Sequence, residues 1–298
     1  VPVTGVDALP PEFSPELTAG LEPGPDLLVA LDIDGTVLGH DGSLSREVWE
    51  AVRELVGTGT HVLLATGRSV SGLLPVLDAL GLDRGWAVAA NGAVSLRLDP
   101  ALPAGYEIAD LVTFDPEPAL RLLRAQHPDG LFAVEKLGEG FWVNNPFPEG
   151  ELLEPVRVVD FEELCAAPAS RVTMRAPELA PDELHEIVLR SGLQDVTYAI
   201  GWSAWLDLTP PGVTKASALE VLRERLEVPG WSTVAVGDGG NDVEMLAWAA
   251  VGVAMGVADP RVLRVAQAWT ADVSADGLVR VLRSLLRGPG GGSAGAAR

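Results

Sequence analysis

The sequence predicts an α/β protein: a parallel sheet with crossover helices, interrupted by an inserted α/β module. Three observations carry this. Short apolar runs alternate with helical spacing over 27–93, the pattern breaks into β-rich, proline-punctuated segments over 94–210, and it resumes over 211–287. The flanking segments 1–26 and 288–298 read as an irregular N-terminal arm and a flexible, glycine-rich tail.

Leu27–Leu31 is an apolar run that stops at Asp32-Ile33-Asp34-Gly35-Thr36, as a buried strand entering a polar loop does. Residues 45–57 place Val48, Val52, Leu55 and Val56 on one helical face, with Ser45 as N-cap and Gly57 as stop. His61–Ala65 is a second buried strand, ending at Thr66-Gly67-Arg68-Ser69, and a helix follows over 69–80. Trp86–Ala90 is a third strand, ending at Asn91-Gly92. In the insert, 106–114, 131–136, 140–144, 171–176 and 196–208 read as β, and 117–126 and 181–191 as helix. A helix over 215–227 follows the insert. The strand 233–236 then enters Gly237-Asp238-Gly239-Gly240-Asn241-Asp242, followed by helix 241–249, strand 251–255 and helices over 259–266 and 275–287.

Composition narrows the function. The chain has 298 residues, 47% of them hydrophobic, enough for a large core. It has 21 basic and 42 acidic residues, a net charge of −21, which repels nucleic acid and anionic membranes and argues against both as partners. The same charge repels phosphorylated substrates, so any phosphate site has to supply its own positive charge. The single cysteine, Cys165, excludes an intrachain disulfide and fits a reducing compartment; with no secretory pattern at the start, the expectation is a cytoplasmic protein. Cys165 itself reads as a small buried apolar side chain.

Four polar clusters follow directly on predicted strands: Asp32/Asp34, Thr66–Arg68, Asn91-Gly92 and Asp238–Asp242. Ligands of open parallel sheets bind beyond the carboxyl ends of the strands. Asp32, Asp34 and Asp238 together suit a hard cation such as Mg2+, and Arg68 and Lys215 add positive charge.

The chain resembles the haloacid dehalogenase-like phosphohydrolases. Asp32-Ile33-Asp34-Gly35-Thr36 is similar to their first motif, Thr66 and Lys215 to the second and third, and Gly237–Asp242 to the fourth, in order. The insert, with Thr209-Pro210-Pro211-Gly212-Val213-Thr214-Lys215, looks like that of the Cof-type sugar-phosphate phosphatases. The resemblance implies a Rossmann-like core over 27–93 and 211–287 with a cap domain over 94–210. It further implies Mg2+-dependent hydrolysis of a small phosphorylated metabolite through an aspartyl-phosphate. The sequence does not choose between a monomer and a small homo-oligomer. A sugar phosphomutase or a catalytically silent sugar-phosphate sensor on the same scaffold are the alternatives.

On this resemblance Asp32 is the nucleophile and a metal ligand. Asp34 is the acid and base, its backbone carbonyl also holding the metal, and Asp238 is the third ligand. Gly35 and Thr36 turn the chain and present N–H groups to phosphate, although a plain turn uses the same residues. Thr66, Gly67, Lys215 and Asn241 hold the phosphoryl group, and Asp242 orients Lys215 or a metal-bound water. As a direct ligand or as an ordinary first-turn acid, Asp242 has two other readings. Arg68 fits either a phosphate contact or a surface arginine opening a helix, and Asn91-Gly92 either a phosphate-side turn or simply a turn. His40, His61, His127 and His185 have no metal-ligand spacing. Trp142, Trp202 and Trp205 fit a core role or stacking on a sugar.

Overall fold

A computed structural model of the chain describes residues 9–152, 154–201 and 204–287. The expected C-terminal tail and Trp202 lie outside the described residues. In chain order the elements begin with β1 (Leu28–Leu31), α1 (Arg46–Gly57), β2 (His61–Ala65), α2 (Val70–Leu80), β3 (Gly85–Ala89), β4 (Val94–Leu98) and β5 (Tyr106–Leu111). Then come α3 (Glu117–Gln126), β6 (Leu131–Lys136), β7 (Gly140–Val143), β8 (Val156–Val158), α4 (Phe161–Cys165), β9 (Val172–Arg175), α5 (Pro181–Ser191), β10 (Thr197–Ile200) and β11 (Trp205–Thr209). The last are α6 (Lys215–Arg225), β12 (Thr233–Gly237), α7 (Val243–Trp248), β13 (Val251–Ala254), α8 (Pro260–Val265), β14 (Ala268–Trp269) and α9 (Gly277–Leu286). The described residues form two compact units, one running up to Leu64 and resuming at Glu220, the other spanning Ala65–Leu219.

The first unit is a parallel sheet in the order β14, β13, β12, β1, β2. β1 lies between β12 and β2, with Leu28 opposite both Thr233 and His61. Every residue of β1, β12 and β13 is buried. This is why they read as unbroken apolar runs: a parallel sheet is covered on both faces. α1 turns Val48, Ala51, Val52 and Leu55 inward and packs against α9. Its N-cap is Ser45, whose hydroxyl accepts the Val48 N–H at 3.1 Å. Each such buried Leu or Val contributes about 1.5–3 kcal/mol. Part of the N-terminal arm is better tied down than its composition suggests. Phe13 is fully buried, and its N–H donates to the Trp269 carbonyl at 2.6 Å, placing the arm alongside β14.

In the second unit β3, β4 and β5 form an antiparallel ladder, Ala89 facing Val94 across the turn. β4 has no counterpart in the expected elements. The chain reverses at Ala90, Asn91 and Gly92, all at positive φ, and simply runs back along β3. A second sheet has the order β10, β11, β9, β6, β7, β8, antiparallel except for β7 and β8. The expected single β segment 196–208 is two paired strands, β10 and β11. One face of this sheet packs Phe132, Val134, Met174, Leu206 and Leu208 against Leu120 and Leu123 of α3, Leu164 of α4 and Leu184 and Val188 of α5. Cys165 is buried in that core, as expected, and burial pushes its thiol pKa up. On the opposite face Ala133, Phe141 and Val143 are covered by Phe147 and Leu152 of the loop after β7.

Candidate active site

The polar clusters of the first unit sit at the ends of adjacent strands β1 and β12. The Asp32 N–H donates to the Val236 carbonyl at 3.0 Å, so Asp32 still belongs to the sheet. The chain then tightens: the Ile33 carbonyl accepts the Val37 and Leu38 N–H groups at 2.9 and 2.8 Å. Gly35 makes this turn feasible. Its φ is +82°, and a Cβ there would lie 2.6 Å from Asp238 Oδ2. Thr36 donates its hydroxyl to Asp238 Oδ1 at 3.2 Å. Beyond β12, Asp242 Oδ2 accepts the N–H groups of Asp238 and Gly239 at 3.0 and 2.9 Å, holding that loop closed.

Side-chain oxygens of Asp32, Asp238 and Asp242 all lie within 4.8 Å of one another, and all three residues are buried. Like charges brought that close out of water disfavour joint ionisation unless a cation sits among them. An all-oxygen group of this kind fits a hard divalent ion. Asp242 therefore stands with the ligand candidates as well as holding the loop. Asp34 is exposed and lies outside the group.

The other motif residues gather in the second unit. Thr66 is 1% exposed; its N–H donates to the Val88 carbonyl and its hydroxyl accepts the Arg68 N–H at 3.1 Å. The Thr66 and Arg68 carbonyls accept the Asn91 and Ala90 N–H groups at 3.0 and 2.8 Å, so the loops after β2 and β3 brace each other. The Arg68 guanidinium reaches back to the Gly72 carbonyl at 3.3 Å. Gly92, at φ +104°, lies against the residue before α6: a Cβ would come 2.1 Å from the Thr214 carbonyl oxygen. Lys215, the first residue of α6, is fully buried. Thr214 and Ser217 bond reciprocally there, backbone to hydroxyl, at 2.9 and 3.1 Å.

Three residues of this unit escaped the sequence reading: Glu135, Arg171 and Asp207. Asp207 accepts from Thr173 at 2.7 Å, from the Trp205 indole at 3.1 Å and from Asn91 Nδ2 at 3.4 Å. Trp205 is thereby tied to this polar face, while Trp142 packs on the helix side with Lys136 and Arg157 over its ring. The histidines keep ordinary roles. His40 pairs with Asp272 and His127 with Glu178, and burial lowers the pKa of His61.

A sequence profile of the haloacid dehalogenase-like hydrolases matches residues 29–282. The phosphatase YwpJ of Bacillus subtilis (strain 168) is 25% identical over 295 residues, covering 87% of this chain and 99% of that protein. The structure of BT1666 from Bacteroides thetaiotaomicron, one of the phosphatases of the HAD superfamily, superposes with a TM-score of 0.71 at 29% identity, over 89% of this chain and 98% of that one. The subclass IIB sugar phosphatase BT4131 shares the fold, with a TM-score of 0.72 at 23% identity over 86% and 98% of the two chains. The order of motifs, the buried acidic group and the family match agree: the chain belongs to the haloacid dehalogenase-like hydrolases and is a phosphatase.

Proposed function

We propose that the chain hydrolyses a small sugar phosphate through a phosphoenzyme on Asp32, with Mg2+ as cofactor, in the cytoplasm. The observation that carries this reading is the buried group of Asp32, Asp238 and Asp242, with the exposed Asp34 carboxyl two residues from Asp32. An Asp32 oxygen attacks phosphorus, the ester P–O bond breaks, and the leaving oxygen takes the Asp34 proton. Water then attacks the acyl phosphate, Asp34 takes the water proton, and phosphate departs from a restored Asp32. Asp32, Asp238 and the Asp34 carbonyl would hold Mg2+, with Asp242 behind them; when bound, the ion offsets the negative charge that nucleophile and phosphate share. Thr66, Gly67, Lys215 and Asn241 take the phosphoryl oxygens, with Arg68, Asn91 and Gly92 on the substrate side. In this reading 27–93 and 211–287 supply the chemistry, and 94–210 selects the leaving group.

The test is phosphate release by the purified chain across a panel of sugar phosphates with Mg2+. Inorganic phosphate should appear, stop with excess chelator and return when Mg2+ is restored. Equal rates in excess chelator would overturn the metal assignment. An isomerised sugar phosphate in place of free phosphate would make the chain a mutase.

A further inference from the structure

The face of the six-stranded sheet turned away from its helices carries buried charge. Val172 and Met174 of β9 point into the helix-side core, so Arg171, Thr173 and Arg175 fall on the other face. Thr173 pairs with Ala133 of β6 and Asp207 of β11, which puts Glu135 and Asp207 on that face too. Arg171 is 6% exposed and Glu135 4%. Arg171 Nε donates to Glu135 Oε2 at 2.9 Å, and its Nη1 lies 3.9 Å from Asp207 Oδ2. Its guanidinium also sits over the Phe141 ring, 5.2 Å from the centroid. The same Nη1 donates to the carbonyl oxygen of Gly67, in the loop that follows β2.

Stability alone does not account for this arrangement. A buried ion pair repays its desolvation poorly, and well-packed apolar residues in its place are commonly as stable or more so. Burial works against the charge on Arg171, but Glu135, Asp207 and Glu154 outweigh it and hold its pKa up; burial pushes the Glu135 carboxyl up. The guanidinium thus stays charged, fixed on one edge by Glu135 and aimed at a single peptide, the one joining Gly67 to Arg68. That peptide follows Thr66 and sets the turn in which the Arg68 N–H bonds the Thr66 hydroxyl. Two further contacts run the same way. Asp207 takes the amide of Asn91, and Glu154 takes the hydroxyl of Ser69, the N-cap of α2.

Taking the phosphatase reading as its basis, we propose that Arg171, held by Glu135, is a positioning residue for the loop carrying Thr66. Asp207 does the same for Asn91. The inserted sheet then sets the geometry of groups that hold phosphate, beyond any part in choosing the leaving group. Displacing such a group by about 1 Å costs on the order of 100-fold in rate.

The experiment compares wild type with Arg171→Lys, steady-state kinetics being read on p-nitrophenyl phosphate and on the best sugar phosphate. A lysine ammonium keeps the charge opposite Glu135 but lacks the rigid fork that reaches Gly67 as well. The expected result is a kcat lower by about 10- to 100-fold on both substrates, with KM within about threefold and a cooperative thermal transition retained. A double variant, Glu135→Gln with Arg171→Gln, replaces the ion pair by two amides of similar size and should show the same kcat loss; it decides the matter if the single variant does not fold. A folded variant with kcat within about twofold of wild type overturns the proposal. So does a loss confined to the sugar phosphate, which would make Arg171 a leaving-group contact. Absence of phosphate release by the wild type would sink the phosphatase reading itself, before any variant is compared.

Discussion

Two buried polar clusters in this chain are built on opposite rules. Asp32, Asp238 and Asp242 stand at the ends of parallel strands, all of one sign. Glu135 and Asp207 lie within antiparallel strands and Arg171 directly before one, so that a cation is set among carboxylates and spends its donors on protein acceptors. A like-charged buried group gains most from a cation set among its oxygens, the part that Mg2+ has in the function proposed above. A compensated group is satisfied internally and gains most from holding its neighbours still. In the function proposed above the first cluster carries the chemistry, and the second, by the further proposal, holds the loops of Thr66 and Asn91.

The sharpest way to break the comparison is at the nucleophile. Asp32→Asn keeps the size and removes the attacking carboxylate; turnover of p-nitrophenyl phosphate should fall by about a thousandfold or more while the fold, read by thermal unfolding, survives. A variant within tenfold of wild type would show that the like-charged group is not the reacting one. Next in size is the division inside that group. Asp238→Ala should raise the Mg2+ concentration for half-maximal activity by more than about 100-fold, and Asp242→Ala by about 10-fold, because one Asp242 oxygen already serves two backbone N–H groups. The reverse order, in a Mg2+ titration of both variants, would make Asp242 the principal ligand. The smallest effect belongs to Trp205, whose indole is anchored by Asp207 and whose ring meets Phe147 edge-on at 6.1 Å. Trp205→Ala should lower kcat/KM on a preferred sugar phosphate by about tenfold and on p-nitrophenyl phosphate by less than about threefold. Parallel losses on the two substrates would place Trp205 with Arg171 in positioning.

The same contrast explains what was legible in the sequence. Strands buried on both faces appear as apolar runs, so their abrupt ends at Asp32, Thr66, Asn91 and Asp238 stand out. The cap of α1 at Ser45 was readable because its side chain does what its position suggests. Glu135, Arg171 and Asp207 were not, because a charged residue alternating with apolar ones in a strand looks like a solvent-facing position. Only the register, which brings Thr173 opposite Asp207 and Glu135 beside Arg171, shows that the face is covered. β8 escaped for another reason: all three of its residues are exposed, so no burial pattern marks it.

The contact between Gly92 and Thr214 has a kinetic consequence. It closes a loop of 122 residues (214 − 92), and pinning the ends of a flexible chain that long costs roughly 4 kcal/mol of entropy. The pairing of Leu28 with Thr233 spans a longer stretch still, 205 residues (233 − 28). If the intervening segment collapses first, its ends arrive already close together and most of that cost is met by contacts made on the way. The least costly order of assembly therefore runs from the inside out. In that order the antiparallel sheet would form early from hairpins, Gly92 and Thr214 would meet next, and β12 would take its place beside β1 last. Asp32 and Asp238 would then come within reach of each other only at that final step, when the rest of the chain is there to hold the cluster.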